Sequence, residues 1–237
     1  MRFPNKKRAD IASGIHISEN RGIRHLHLHS ETIQSAMRLS DPTALVLAYT
    51  RSMFGFLLLQ ATPKKLWMIG LGGGSIPKYI HAYLPEIRCT SIELHAEIIQ
   101  VARSQFALPE ENPPQFCVLH ADGGEYVQDK FDCVDTILID GFDGYTVASE
   151  LASEFFFANC YSALRRDGVL GINLWRKDKL FPVYCQRLQG VFGNALIALP
   201  ARELGNIIVF AHKAPRPPTE QQLRERASHW QSRLRID

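Results

Sequence analysis

The sequence is poor in the features that would place it at a membrane or outside the cell. In 237 residues the most hydrophobic stretch, Ala44 to Leu59, falls short of the roughly 20 residues that a spanning helix needs, and Arg51 interrupts it. No apolar segment follows the basic N-terminal residues, so no secretory leader is read there. Cysteine is sparse and odd in number: Cys89, Cys117, Cys133, Cys160 and Cys185 are well separated and mostly set in apolar patterns. They read as reduced core residues and not as a disulfide frame. The expectation is a soluble cytoplasmic protein with no membrane partner.

A basic body is also missing. The net charge of +3 comes from the ends. Met1 to Arg8 carries Arg2, Lys6, Lys7 and Arg8, and Lys213 to Asp237 carries six cations against three acids, which leaves the intervening chain with more acids than cations. Phosphate-driven binding needs a basic face on the folded body, so nucleic acid is not the expected ligand. Three histidines, His25, His27 and His29, alternate along one strand at a spacing a metal site could use. A solvated polar face opposite Leu26 and Leu28 is the preferred reading, and no metal is expected.

What the chain does have is apolar material for a core, 46% hydrophobic residues, arranged with two periods. Before Pro42 short alternating runs (Ile15 to Ile17, Arg24 to His29, Thr32 to Gln34) predict a small N-terminal β-sheet. Ser40-Asp41-Pro42 reads as the capped start of a buried helix over Ala44 to Leu59. From Lys65 onward apolar strands (66–69, 89–93, 116–120, 134–140, 169–174) alternate with helices expected at 75–84, 95–106, 124–130 and 149–165. That alternation predicts an α/β fold, a Rossmann-like, doubly wound parallel sheet. After a helix near 180–191, two apolar runs (195–199 and 207–210) are joined by too few residues for a parallel crossover. The final pair is therefore antiparallel, the methyltransferase-type ending. The expected organisation is a small β-region over residues 1–40, a nucleoside-binding domain over 41–214 and a peripheral C-terminal helix over 215–237.

Leu66 to Ile69 runs directly into Gly70-Leu71-Gly72-Gly73-Gly74 and then a helix, which puts the glycines on a strand-to-helix turn where backbone can approach a ligand. The pattern is G-x-G-x-G; a dinucleotide turn would need glycine at Ser75, so a nucleoside is favoured over a pyrophosphate. Glu93 ends the second strand, where a carboxylate can accept both ribose hydroxyls. Asp122-Gly123 follows the third strand and Asp140 ends the fourth. Acids at the carboxyl ends of successive parallel strands converge on one crevice, although each alone also suits a helix cap. Phe155-Phe156-Phe157 reads as helix-to-sheet core.

These residues resemble the spermidine synthase family of aminopropyltransferases. The likeness runs through Thr32-Ile33-Gln34, Pro63 to Gly74, Ile92-Glu93-Leu94, Ala121-Asp122-Gly123, Asp140-Gly141-Phe142-Asp143 and Ala163 to Leu170. It implies a homodimer or larger assembly, a role in polyamine biosynthesis, and decarboxylated S-adenosylmethionine as aminopropyl donor to a small amine. It further implies that Gly70, Gly72, Gly74, Glu93, Asp122, Gly123 and Gln34 hold the nucleoside, with Glu93 on the ribose and Asp122 on the adenine amino group. Asp140 would be the general base, and Tyr49, Asp143 and Tyr145 would bind the amine. Three positions depart from the family pattern. Gly73 replaces an aspartate that grips the donor's amino group, Arg51 replaces the glutamate of a Tyr-x-Glu segment, and Gly144-Tyr145 replaces a proline after Asp143. Two other readings stay open: a methyltransferase using intact S-adenosylmethionine, which the loss of an acid at Gly73 would suit, and a non-catalytic nucleoside-binding relative.

Overall fold

The structure is a computed structural model and describes residues 14–29, 32–143, 146–202, 205–214 and 216–234, with the side chains of Asp143 and Thr146 excepted. The N-terminal sheet is antiparallel: β1 (Ile15–Asn20), β2 (Ile23–Leu28) and β3 (Ile33–Arg38), in that order. Arg21 and Gly22 close the first hairpin with φ of 49° and 75°, and two consecutive positive φ values match the twist of the strands they join. One face of this sheet, with Leu26 and Met37, packs on the main core.

A helical run follows: α1 (Ala48–Ser52), a 3₁₀ turn at Met53–Gly55 and α2 (Phe56–Leu59). The alternating part of the chain then supplies β4 (Lys65–Ile69), α3 (Ser75–Tyr83), β5 (Arg88–Glu93), α4 (Ala96–Gln105), β6 (Phe116–His120), α5 (Gly123–Tyr126) and β7 (Val134–Ile139). A two-residue pair, β8 (Phe142–Asp143) and β9 (Thr146–Val147), precedes a 3₁₀ turn, α6 (Glu154–Ala163), β10 (Leu164–Trp175) and α7 (Phe181–Phe192). The chain closes with β11 (Leu196–Pro200), β12 (Asn206–Lys213) and α8 (Glu220–Arg233). The main sheet has the order β11-β12-β10-β7-β4-β5-β6. All neighbours are parallel except β12, which slots between β10 and β11 and is antiparallel to both, as the short connection predicts.

Alternation within the strands divides the core in two. Leu66, Met68, Leu138, Val169, Ile208 and Phe210 face one layer with α3 and α4, while Trp67, Ile69, Ile137, Ile139, Leu170 and Ile172 face the other with α6 and α7. β7, central and covered on both faces, is buried at all six positions, the pattern of a parallel interior strand. Its one acid, Asp135, is fully engaged at the far end of the sheet: Oδ2 accepts from Lys64 N and Lys65 N, and Oδ1 from Arg165.

Four local expectations need correction. The helix expected from Ser40-Asp41-Pro42 starts at Ala48, because the Asp41 carboxylate accepts instead from Thr43 N and Oγ1 and closes a turn, a local bond that competes with helix initiation. The helix expected over 149–165 is split by Ser153, whose hydroxyl caps α6 by accepting from Phe156 N, and β10 already begins at Leu164. Within it Phe156 and Phe157 are core, but Phe155 is 67% exposed. His27 is not solvated: it is buried, its Nε2 2.9 Å from Ser18 Oγ, at a register shift of β2 against β3. Among the described residues no group of three or more His, Cys, Asp or Glu is arranged to hold a metal ion, and no helix is long and apolar enough to cross a membrane.

Candidate functional site

The carboxyl ends of β4, β5 and β7 meet at one edge of the sheet, and the glycine turn rises between them. Gly70 has φ of +92°, and a Cβ there would stand 2.2 Å from the Asp140 carbonyl oxygen, so a side chain is excluded both by conformation and by space. Gly70 N donates to Ile92 O, and Asp140 N to Ile69 O. Those two bonds splice the turn to the strands on either side. Gly74 closes the turn by donating to Leu71 O, and its own carbonyl accepts from Lys78 N at the start of α3.

Glu93 anchors this half. Its carboxylate is buried, with Oε2 accepting from Leu71 N at 2.9 Å and Oε1 from His95 N at 3.0 Å. A carboxylate has about four acceptor sites, so these bonds leave it capacity for a further donor. Burial pushes its acidity toward weaker acid, opposed by the backbone bonds from His95 and Leu71. Asp122, at the end of β6, caps α5: its Oδ1 accepts from Gly124 N and Glu125 N at 2.7 and 3.2 Å. The cap reading therefore holds for this acid. Gly123 is pressed against the Ile69 side chain, where a Cβ would lie 2.5 Å from Cγ2.

On the other side of the turn the Asp140 carboxylate accepts from two side chains. Tyr49 Oη donates to Oδ2 at 3.0 Å, and Asn173 Nδ2 donates to Oδ1 at 2.8 Å. Burial raises the Asp140 pKa, opposed by those two donors, and it raises that of Tyr49 well above the phenol range with the Asp140 charge acting in the same sense. A carboxylate moved toward neutrality in this way suits proton transfer better than an exposed one. The same Tyr49 hydroxyl lies 3.4 Å from the Gln34 carbonyl, so the β3 residue expected near the nucleoside stands at the Asp140 side of the crevice.

The structure brings together Gly70, Gly72, Gly74, Glu93, Asp140, Tyr49 and Gln34, with Asp122 and Gly123 one strand further out. Asp143 lies in the β8–β9 pair after Asp140, its side chain outside the described atoms; Tyr145 lies outside the described residues. Arg51 does not face the site: its Nη1 donates to Leu45 O and Val46 O at 2.7 and 3.2 Å and holds the approach to α1. Three polar residues escaped the sequence reading. Asn173 is 2% exposed and stood as an amide in an apolar strand, the one signal available. Asn206, whose Nδ2 donates to Asn173 Oδ1 at 3.0 Å, gave none. Nor did Ser35 on β3, whose Oγ accepts from Gly73 N at 2.9 Å. Ser35 also bears on the missing acid, since a Cβ on Gly73 would lie 2.8 Å from Phe106 Cδ1 and 3.0 Å from Ser35 Cβ.

The model of the spermine/spermidine synthase domain matches residues 46–214, a span that contains the glycine turn, Glu93, Asp140 and the antiparallel β12. The polyamine aminopropyltransferase of Chromobacterium violaceum is 42% identical over 224 residues, covering 94% of this chain and 85% of the relative. Among solved structures, human methyltransferase-like protein 13 in complex with SAH superposes with a TM-score of 0.71 at 23% identity, covering 80% of this chain and 93% of that one. The spermidine synthase of Thermotoga maritima superposes with a TM-score of 0.64 at 20% identity, covering 84% and 72%. At those identities the structural likeness speaks for the fold alone.

Proposed function

The chain belongs to the spermine/spermidine synthase family, and from that premise we propose that it transfers an aminopropyl group from decarboxylated S-adenosylmethionine to a small amine. The observation that carries the reading is the fixing of Asp140 beside the glycine turn by Tyr49 and Asn173. The nucleoside lies along Gly70 to Gly74, with Glu93 using its free lone pairs on the ribose and Asp122 at the adenine end. Asp140 takes a proton from the incoming ammonium. The freed nitrogen lone pair then forms the new C–N bond at the methylene beside the sulfonium, and the C–S electron pair stays on sulfur as a thioether. Asp143 and Tyr145 belong to the amine side of the same proposal, as do a homodimer and a cytoplasmic setting.

One observation favours a second reading. A side chain on Gly73 would crowd Phe106 and Ser35, and a site without an acid there tolerates the carboxylate of intact S-adenosylmethionine. The deciding experiment presents wild-type protein with methylthioadenosine, the decarboxylated donor and the intact donor in calorimetry, and then assays both donors against a panel of diamines by mass spectrometry. Aminopropyl products from the decarboxylated donor are expected. Methylated products would replace that reading with the second, and nucleoside binding without any product would leave a non-catalytic relative.

A further inference from the structure

Behind Asp140 the polar contacts continue away from the crevice into the last hairpin. Asn173 is buried on β10 and spends both ends of its amide: Nδ2 on Asp140 Oδ1 at 2.8 Å and Oδ1 on Asn206 Nδ2 at 3.0 Å. The main chain of Asn206 is fixed in turn, because its carbonyl accepts from Ala201 N and closes the β11–β12 hairpin. The neighbouring Gly205, with φ of +127°, packs against the Trp175 ring, and its carbonyl accepts from Arg176 N at 2.7 Å. The first residue of β12 is therefore held to the end of β10 by main chain and side chain together.

An asparagine amide has two orientations of nearly equal shape, so its hydrogen-bond partners choose between them. With Asn206 donating to Asn173 Oδ1, the only end left for Asp140 is the NH₂, which stabilises the carboxylate. The opposite orientation would turn a carbonyl oxygen on Asp140 and favour its protonated form. We infer that Asn206 is a positioning residue: it locks the Asn173 amide in the orientation that keeps Asp140 ionised and ready to accept a proton. The catalytic consequence rests on Asp140 as the base. The groups that face Asp140 from the elements packed against it are Tyr49 of α1 and Asn173 of β10; on β4 the neighbour is Gly70, and Glu93 stands across β4 on β5.

Asn206→Asp, which adds charge, and Asn206→Ala, which does not, separate this role from mere packing when read together. The first substitution is nearly isosteric but accepts where asparagine donates, so it draws the NH₂ of Asn173 toward itself and away from Asp140. The measurement is the titration of the Asp140 carboxyl carbon by NMR in the full chain labelled with ¹³C-aspartate, assigned with Asp140→Asn. It is made in wild type, Asn206→Asp, Asn206→Ala and Asn206→Gln, alongside the pH profile of kcat/KM. In Asn206→Asp the Asp140 midpoint rises by about one pH unit or more, as expected when a donor to a carboxylate becomes an acceptor. In Asn206→Ala it rises less, and in Asn206→Gln, which keeps a donor, it stays near wild type. Methylthioadenosine affinity is unchanged in all three. An unshifted Asp140 midpoint in the Ala variant overturns the inference whatever the Asp variant does, because the carboxylate added in Asn206→Asp raises Asp140 by its charge alone. Should wild type transfer nothing to any amine while the midpoint still moves, the base reading fails and the locking of Asn173 stands.

Discussion

The two sides of the glycine turn are built from different materials. On the Glu93 side, main-chain donors at Leu71 and His95 meet one carboxylate, and all of them lie on β4, β5 and the turns that leave them. On the Asp140 side, one carboxylate is held by a phenol 91 residues earlier and an amide 33 residues later, from α1 and β10. Main-chain donors come with the strand order and stay if side chains change. Side-chain donors can be altered singly, so the Asp140 side is the half that substitution can change while the main-chain bonds of the Glu93 side stay.

The largest effect expected from breaking this division is at Asp140. Asp140→Asn keeps shape but cannot take a proton, and its NH₂ has to turn toward Tyr49, because the opposite choice sets it against the NH₂ of Asn173. Removal of a positioned base costs roughly a hundredfold to ten-thousandfold in rate, and kcat with the decarboxylated donor is expected to fall by that much while methylthioadenosine affinity holds. In wild type, burial raises the Asp140 pKa, so activity is lost on acidification through a pH above the ordinary aspartate range; the Asn variant loses that acid limb. A mutant with wild-type kcat would make Asp140 a structural acid and erase the contrast between the two sides.

Glu93→Ala probes the other side. It removes the acceptor of two main-chain donors and of the proposed ribose hydroxyls, so methylthioadenosine affinity should weaken by about 1 to 3 kcal/mol, the range for lost charge-assisted hydrogen bonds. Calorimetry reads this directly. Unchanged affinity would remove Glu93 from the nucleoside site and leave it as an anchor of the turn.

The same division explains how much could be read from the sequence. The sheet, its antiparallel β12, the glycine turn and Glu93 follow from local signals: apolar periodicity, a short connection that forbids a crossover, and a carboxylate at a strand end. Asp140 was legible as a strand-end acid and Tyr49 as a site residue by resemblance, but the amides behind Asp140 were not, because nothing in the local pattern of Asn173 or Asn206 says which strands will lie side by side. Strand insertion decides that: β12 enters between β10 and β11, and only then do the two amides face each other. Asp41 failed for a related reason. Its carboxylate had two local partners to choose between, a helix start and the Thr43 turn, and residue preference alone does not rank them. Arg51, which stands in place of the family's glutamate, satisfies two carbonyls of its own segment.

The smallest expected effect tests whether the Glu93 side depends on main chain alone. Ser35 is its exception: a hydroxyl from the N-terminal sheet accepts from Gly73 N, 38 residues away. Ser35→Ala leaves that donor without a partner and removes only one atom from a packed contact with Gly72 and Gly73. The loss of one neutral hydrogen bond is worth about 1 kcal/mol, so denaturant unfolding should show a fall of that size. If the bond also sets the turn for the nucleoside, methylthioadenosine affinity falls by up to about fivefold, the equivalent of the same energy, and kcat stays at the wild-type value. Affinity equal to wild type with stability reduced would mean that Glu93, Ile92 and Leu71 hold the turn without help from β3, making the main-chain account complete. A fall in kcat instead would mean that the N-terminal sheet reaches the Asp140 side through Gln34 and Tyr49, and that the two halves are coupled where the geometry places them apart.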